Sequence, residues 1–293
     1  MVEQKNAVKG RSMKFSKMHG IGNDYIYVNC LEETVYEPER LAKKISDRHF
    51  GVGADGLILI CPSMKADFAM EMYNADGSPG EMCGNGIRCL GKYVYERRIT
   101  AKKELDIETK AGIRHLRLFA NPKEKGRISM VEVDMGSPVL EADQVPVICE
   151  HTLAIDEPIT VNGVEYRMTG VSMGNPHAVV FTNHVRGLEL EWLGPAFEYH
   201  GRFPRRVNVE FAEVIDSATL KVRVWERGSG ETLACGTGAC AAVVAGVLNH
   251  LTEREVTVKL SGGELFVNWQ KDTDKILLTG PAAHVFDGEY MIS

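Results

Sequence analysis

The 293-residue sequence has no Cys-x-x-Cys pair and no His-x-x-x-His, so the usual spacings of a structural zinc site are missing. It has no surplus of basic residues. Lys and Arg number 34 against 40 Asp and Glu, a formal net charge of −6, which argues against a nucleic-acid partner. No apolar run reaches membrane-spanning length, and the N-terminus carries no apolar signal-peptide core. The polar run "MVEQKNAVKGRS" (1–12) precedes a second methionine, Met13, and is expected to be an extension outside the fold. "ERGSGETLACGTG" is rich in glycine, but no Gly-Lys-Ser/Thr follows, so a phosphate-binding P-loop is rejected. No pyridoxal-phosphate signature stands out, so no electron-sink cofactor is implied.

What is present is an ordinary soluble composition, 44% hydrophobic and 25% charged, with length for two domains. The seven cysteines are an odd count in a long chain, which does not suit a secreted disulfide framework. The expectation is a cytoplasmic protein with reduced thiols. Cys30, Cys61, Cys89, Cys149 and Cys240 read as packing residues on apolar runs.

Two cysteines stand apart. "EMCGNGIRC" (Glu81 to Cys89) and "LACGTGAC" (Leu233 to Cys240) each place a cysteine before Gly-x-Gly and an apolar run of helical spacing. Cys235 follows Cys83 by 152 residues, and the same offset carries Gly22-Asn23 onto Gly174-Asn175 and "FAMEMY" onto "LKVRVW". "ELDIETKAG" matches "EVTVKLSGG" at 151. The few identities fall on the punctuating glycines and cysteines, which points to a duplicated domain. Each half reads as several strands and one central helix, an α+β pattern with a sheet curled on a helix. "ACAAVVAGVL" is apolar on nearly every face, so its helix should be enclosed. The segment around 120–151, with the turn-rich "NPKEKG", is expected to be the crossover between halves.

Each cysteine should stand at a strand-to-helix junction. The first N–H groups of a helix lack internal partners and attract anions. That field should also lower a thiol's pKa from about 8.5 toward neutrality. If the halves face each other, two thiols flank one cleft beside two sets of amide donors. Such an arrangement suits inversion at a carbon next to a carboxylate. One thiolate removes a proton from one face while the opposite thiol supplies one to the other.

At these residues the sequence resembles the diaminopimelate epimerase family. The resemblance runs from about Lys14 onward, through "KMHGIGNDYIYVN", "NADGS…CGNGIRC", "SMGNPHAVVF", "RVNVEF" and "ERGSGETLACGTGACAAV". It implies two similar domains, each a curled, mainly antiparallel sheet wrapped on a central helix, with the active site in the cleft between them. The expected boundaries are 13–128, joined by the last strand at about 281–293, and 129–280. Homodimers are usual in the family, and a small-molecule substrate is implied, with no metal, no cofactor, no nucleic acid and no membrane. Carried over residue by residue, Cys83 and Cys235 match the acid–base pair, with His177 and Glu226 near the thiols. Gly84, Asn85, Gly236 and Thr237 match the carboxylate-binding turns. Asn23, Asn74, Asn175 and Asn208 match substrate-contacting asparagines. Glu226 and Arg227 match the grip on the far amino and carboxylate groups. Many members have glutamine where this chain has Gly56, so one side-chain contact is expected to be missing. The implied reaction interconverts LL- and meso-diaminopimelate. The alternative is a related racemase or epimerase acting on histidine or hydroxyproline.

Overall fold

A computed structural model describes residues 11–292. The expected extension 1–12 therefore lies outside the described residues, except that Arg11 and Ser12 already pair with Ile292 and Met291. The first half runs β1 (Arg11–Gly20), β2 (Asn23–Asn29), α1 (Pro38–Ser46), β3 (Gly56–Cys61), β4 (Phe68–Asn74), β5 (Pro79–Gly80), α2 (Gly84–Glu96), β6 (Glu104–Thr109), β7 (Gly112–Ala120) and β8 (Ile128–Asp134). The second runs β9 (Glu157–Val161), β10 (Val164–Ser172), β11 (Pro176–Phe181), α3 (Leu190–Glu198), β12 (Asn208–Asp216), β13 (Thr219–Glu226), β14 (Gly230–Thr232), α4 (Gly236–Leu248), β15 (Glu255–Leu260), β16 (Gly263–Trp269) and β17 (Ile276–Pro281). A last strand, β18 (Ala283–Ile292), pairs antiparallel with β1.

The 152-residue offset is written into the elements. α1 and α3 both have nine residues and start at Pro38 and Leu190; α2 and α4 both have 13 and start at Gly84 and Gly236. Strand register follows suit. Tyr25 sits opposite Gly56, and Gly56 opposite Asn74. In the second half His177 sits opposite Asn208, and the Val209–Trp225 pair carries Asn208 to the level of Glu226. The turns before β2 and β11 need glycine, since Gly22 and Gly174 have φ of 91° and 93°.

Among the described residues the strands form one sheet of 18 strands. Most neighbours are antiparallel, and the parallel exceptions, β2–β3, β4–β6, β11–β12 and β13–β15, recur at matching places in both halves. The segment expected to cross between halves proves to be partly strand. "NPKEKG" closes a β7–β8 hairpin, and β8 pairs with β7 on one side and β17 on the other. The alternating apolar residues Ile128, Val131 and Val133 are buried, and they favour a strand over a loose connection.

Each half curls round its central helix. Ile87, Cys89, Leu90 and Val94 of α2 are buried, as is every residue of α4 from Gly238 to Gly246. Both helices join one core that also takes Leu105, Val131, Val258 and Leu278 from the sheet. A second helix per half was not foreseen. α1 puts Leu41, Ala42 and Ile45 against the outer face of the first half, and α3 puts Leu193 and Phe197 against the second. Cys149 lies in a loop rather than on a strand, its Sγ 3.0 Å from His151 O.

Candidate active site

Cys83 and Cys235 occupy the same place in their halves. Each has extended backbone, φ −131° and −121°, and caps the helix that follows. Each sulfur accepts from the third residue on, Gly86 N–H or Gly238 N–H, both at 3.4 Å. The helix starts converge. Asn85 Nδ2 donates across the halves to Ala234 O at 3.2 Å, and a Cβ on Gly236 would lie 3.8 Å from Gly84 Cα. The glycines of these turns are required by contact rather than by φ. A Cβ on Gly86 would lie 2.5 Å from Ile58, and one on Gly238 would lie 2.5 Å from Glu210.

Around Cys83, Asn23 Oδ1 accepts from the sulfur and from Asn85 Nδ2, each at 3.3 Å. Asn23 Nδ2 donates to Asp55 at 2.8 Å, and Arg48 holds the other oxygen of that carboxylate at 2.9 Å. The Tyr25 hydroxyl stands near enough to the sulfur to favour its thiolate. Asn85 is itself oriented by Arg88, a fully buried guanidinium that donates to Asn85 Oδ1 at 2.9 Å and to Gly84 O at 3.1 Å.

Around Cys235, Thr237 Oγ1 lies 3.4 Å from the sulfur and accepts from Asn175 Nδ2 at 3.4 Å. Asn175 Oδ1 meets His177 Nε2 at 3.0 Å, and His177 Nδ1 meets Glu210 at 2.8 Å. Glu226 stands close enough to Cys235 to act on its thiol by charge, and its Oε1 accepts from Thr232.

Most residues expected from the sequence therefore gather at the two helix starts: Asn23, Gly84 and Asn85 with Cys83, and Asn175, His177, Glu226, Gly236 and Thr237 with Cys235. Three do not reach a thiol by any contact of their side chains. Asn74 donates to Ser78 Oγ at 3.0 Å on the rim. Asn208 donates to Pro176 O at 2.8 Å and accepts from Arg227 N–H at 2.9 Å. Arg227 is exposed, with Nη1 3.0 Å from Arg205 O. The space over Gly56 is closed, since a Cβ there would meet Tyr73 O at 2.3 Å and the Tyr25 ring at 2.9 Å. Tyr25 thus fills the room a longer side chain would need. Sequence reasoning missed Tyr25, Asp55 and Glu210. The repeat alignment did pair Tyr25 with His177, and that was the available signal.

The electrostatics correct one expectation. Burial pushes the Cys83 thiol up, and the amides of Gly86 and Asn85 with the Tyr25 hydroxyl only partly oppose it. Burial, then Glu226 and Glu210, pushes Cys235 well above its usual range, against Thr237 and the Gly238 amide. Helix starts favour thiolates, but here desolvation outweighs that effect. Burial also raises the Glu226 carboxyl. Burial raises the packing thiols too, Cys89 to about 11 and Cys240 to about 12. Among the described residues no cluster of three or more His, Cys, Asp or Glu is arranged to hold a metal ion, and no helix is long and apolar enough to cross a membrane.

This duplicated α+β architecture is shared with solved structures. A hydroxyproline epimerase from Agrobacterium vitis matches with TM-score 0.66 at 14% identity, covering 97% of this chain and 92% of that one. A Bacillus anthracis protein of the PhzF phenazine-biosynthesis family matches at 0.66 and 17%, covering 96% and 100%. At such identities the likeness is one of fold, and it sets the class: two-lobed α+β chains built on a repeated strand–helix unit. Within that class, the family model described as diaminopimelate epimerase matches residues 15–141 and 169–285. The diaminopimelate epimerase of Acetivibrio thermocellus is 55% identical over 277 residues, 94% of this chain and 98% of that protein. That of Methanococcus maripaludis is 53% identical, over 94% and 99%. The chain belongs to the diaminopimelate epimerase family.

Proposed function

We propose that this protein interconverts LL- and meso-2,6-diaminopimelate by proton transfer at one α-carbon, with Cys83 and Cys235 as proton handlers on opposite faces and without a cofactor. The observation that carries this reading is the pair of cysteine caps at converging helix starts, each bonded to the same amide of its turn. In the forward step the α C–H bond breaks and an S–H bond forms on one sulfur. The other S–H breaks and a new C–H forms on the opposite face. The carbanion-like transition state gains support from amides aimed at the adjoining carboxylate. The first N–H groups of α2 and α4, on Gly84, Asn85, Gly236 and Thr237, have no partner within their helices and suit that task.

The far end of the substrate needs an asymmetric grip, and the repeat breaks its symmetry at Glu226 and Arg227, whose counterparts are Asn74 and Ala75. Arg227 suits a carboxylate through its forked guanidinium, and Glu226 with the asparagine carbonyls suits an ammonium. Asn208 holds the Arg227 backbone and keeps a second lone pair on Oδ1 for substrate. Asn23, Asn74 and Asn175 complete the asparagine contacts, and His177 and Glu226 adjust the proton inventory near the thiols. Residues 13–128 with about 281–293, and 129–280, are taken as the two domains. A homodimer in the cytoplasm is the working assembly.

Incubation with LL-diaminopimelate in D₂O tests the reading. Deuterium should enter one α-carbon as the meso isomer appears. Exchange with histidine or hydroxyproline but not with diaminopimelate would transfer the assignment to another substrate on the same scaffold.

A further inference from the structure

The second cysteine turn contains a carboxylate that the two-thiol scheme does not use. Glu210 is fully buried on β12, and its Oε2 has no hydrogen-bond partner. Its other oxygen lies 2.8 Å from Nδ1 of His177, which is equally buried. The second ring nitrogen lies 3.0 Å from Asn175 Oδ1. Both ring nitrogens therefore face oxygen. A carbonyl oxygen only accepts, so Nε2 carries a hydrogen. One further proton lies between Nδ1 and Glu210, on the ring or on the carboxyl. Either way the pair is neutral as a unit, which full burial favours over a lone carboxylate. The titratable groups facing the pair are Glu226 from β13 and Cys235 from the start of α4.

The direction of this first bond propagates. With Oδ1 turned to His177, Asn175 offers its NH₂ to Thr237 Oγ1 at 3.4 Å. Thr237 accepts there, so its own hydrogen is free for Cys235 Sγ at 3.4 Å. Every link donates onward, and the last donor meets the sulfur beside Gly238 N–H. Donors stabilise a thiolate, not a thiol. At Cys83 the sense is reversed. The Asp55 carboxylate accepts only, so it fixes the Asn23 NH₂ toward itself at 2.8 Å and leaves Oδ1 facing Cys83 Sγ at 3.3 Å. There the sulfur donates to the asparagine, although the Gly86 amide still donates to the sulfur.

We propose that Glu210 is a positioning residue which, through His177, Asn175 and Thr237, keeps a one-way chain of donors aimed at Cys235, so that a thiolate formed there meets the Thr237 hydrogen and not a lone pair. This rests on the epimerase reading only in taking these two thiols as the proton handlers. To make the thiolate, the Cys235 S–H bond breaks, the sulfur keeps the electron pair and the proton passes to water as a new O–H bond. The first half has no such device, because Ile58 stands at the position matching Glu210.

The test is the pH dependence of iodoacetamide alkylation at Cys235, followed by mass spectrometry in the wild-type protein and in Glu210→Leu, which can neither donate to nor accept from His177 Nδ1. Because the pair is neutral as a unit, losing the carboxyl alone would leave the Cys235 midpoint in place or lower it. Losing the oriented donor chain raises it, by about one pH unit, a tenfold loss of thiolate at a given pH. In the same variant kcat should fall roughly 10- to 100-fold, the range for partners that orient a reacting group. A midpoint that stays or falls overturns the proposal. If Glu210→Leu does not fold, Thr237→Val carries the same test: it removes the last donor and should raise the midpoint likewise, and no rise overturns the proposal. ¹⁵N NMR of the wild-type protein should find His177 Nε2 protonated at neutral pH, and an unprotonated Nε2 also overturns it. Because alkylation needs no substrate, a failure of the wild-type protein to epimerise diaminopimelate would remove the functional reading and leave this result intact.

Discussion

Behind Gly86 the first helix rests on Ile58; behind Gly238 the second rests on Glu210. These residues stand 152 positions apart, in strands of matching register, under turns of matching backbone. The backbone of the repeat has been kept and the layer beneath it has not. On the Cys83 side that layer is Ile58 and Tyr25, with Asp55 outside. On the Cys235 side it is a buried carboxylate, an imidazole and Glu226. Inversion needs a proton handler on each face, and duplication supplies that at once. It does not need the two handlers to start in the same protonation state, and a fully symmetric site would hold two thiols or two thiolates. The divergence lies where it can set that difference without moving either sulfur.

The comparison breaks most completely at the thiols. Cys83→Ala and Cys235→Ala should each lower LL-to-meso conversion by on the order of 10³-fold or more, measured by chromatographic separation of the isomers. Full turnover in either variant would end the two-thiol scheme. Arg227→Ala probes the other asymmetry. Losing a charge-assisted grip worth roughly 1.5–3 kcal/mol should raise KM about 10- to 100-fold, with a smaller effect on kcat. An unchanged KM for diaminopimelate would remove the far-carboxylate role.

Gly86→Ala and Gly238→Ala compare the layers beneath the turns. Both insert a methyl where a neighbour lies at 2.5 Å, so thermal denaturation should show about 1–3 kcal/mol lost in each. Ile58 can yield by a rotamer change, whereas the Glu210 oxygen is held by His177. Gly238→Ala should therefore lose the more activity, by about a further tenfold. Equal losses would mean that the two layers are interchangeable.

The smallest effect concerns the sheet edges. β10 is closed by its neighbour in sequence, β9, while β1 is closed by β18. Burial would raise the Asp287 carboxyl on β18, but hydrogen bonds from Arg97, Ser16 and His284 hold it well below the usual carboxylate range. A depressed carboxyl contributes stability above its unfolded pKa of about 3.9 and loses it as pH falls from there. Asp287→Asn should lower Tm by a degree or two near pH 7. The difference from wild type should vanish in scans run progressively below about pH 4. A difference that persists in acid would assign it to packing.

Much of the frame was legible in the sequence because a duplication leaves two copies of each punctuating residue. The glycines and cysteines fixed the offset, and that offset recurs in helices as far from the thiols as α1 and α3. Those outer helices were themselves overlooked, since "PERLAKKIS" and "LEWLGPAFE" are short and share almost no identities. In the sequence, β8 reads as a connection because the "NPKEKG" turn outweighs the alternation that follows it. At the site, residue types were legible but hydrogen-bond direction was not. Asp55 and Glu210 look like any acidic residue after a glycine turn or within a strand. Only strand register places one outside Asn23 and the other behind His177. The thiol electrostatics were misjudged for a related reason: a helix start can be read from Cys-Gly-x-Gly, but its depth in the protein cannot.

The pairing of β18 with β1 sets an order of events during synthesis. β1 precedes and β18 follows every other strand among the described residues, so the first half keeps an open edge until the strands of the second half have been made. Closing that edge requires contact between residues some 270 positions apart, a loop closure that slows folding. The edge of the first half is therefore closed only by a strand that follows the whole of the second, which ties the folding of the two halves together.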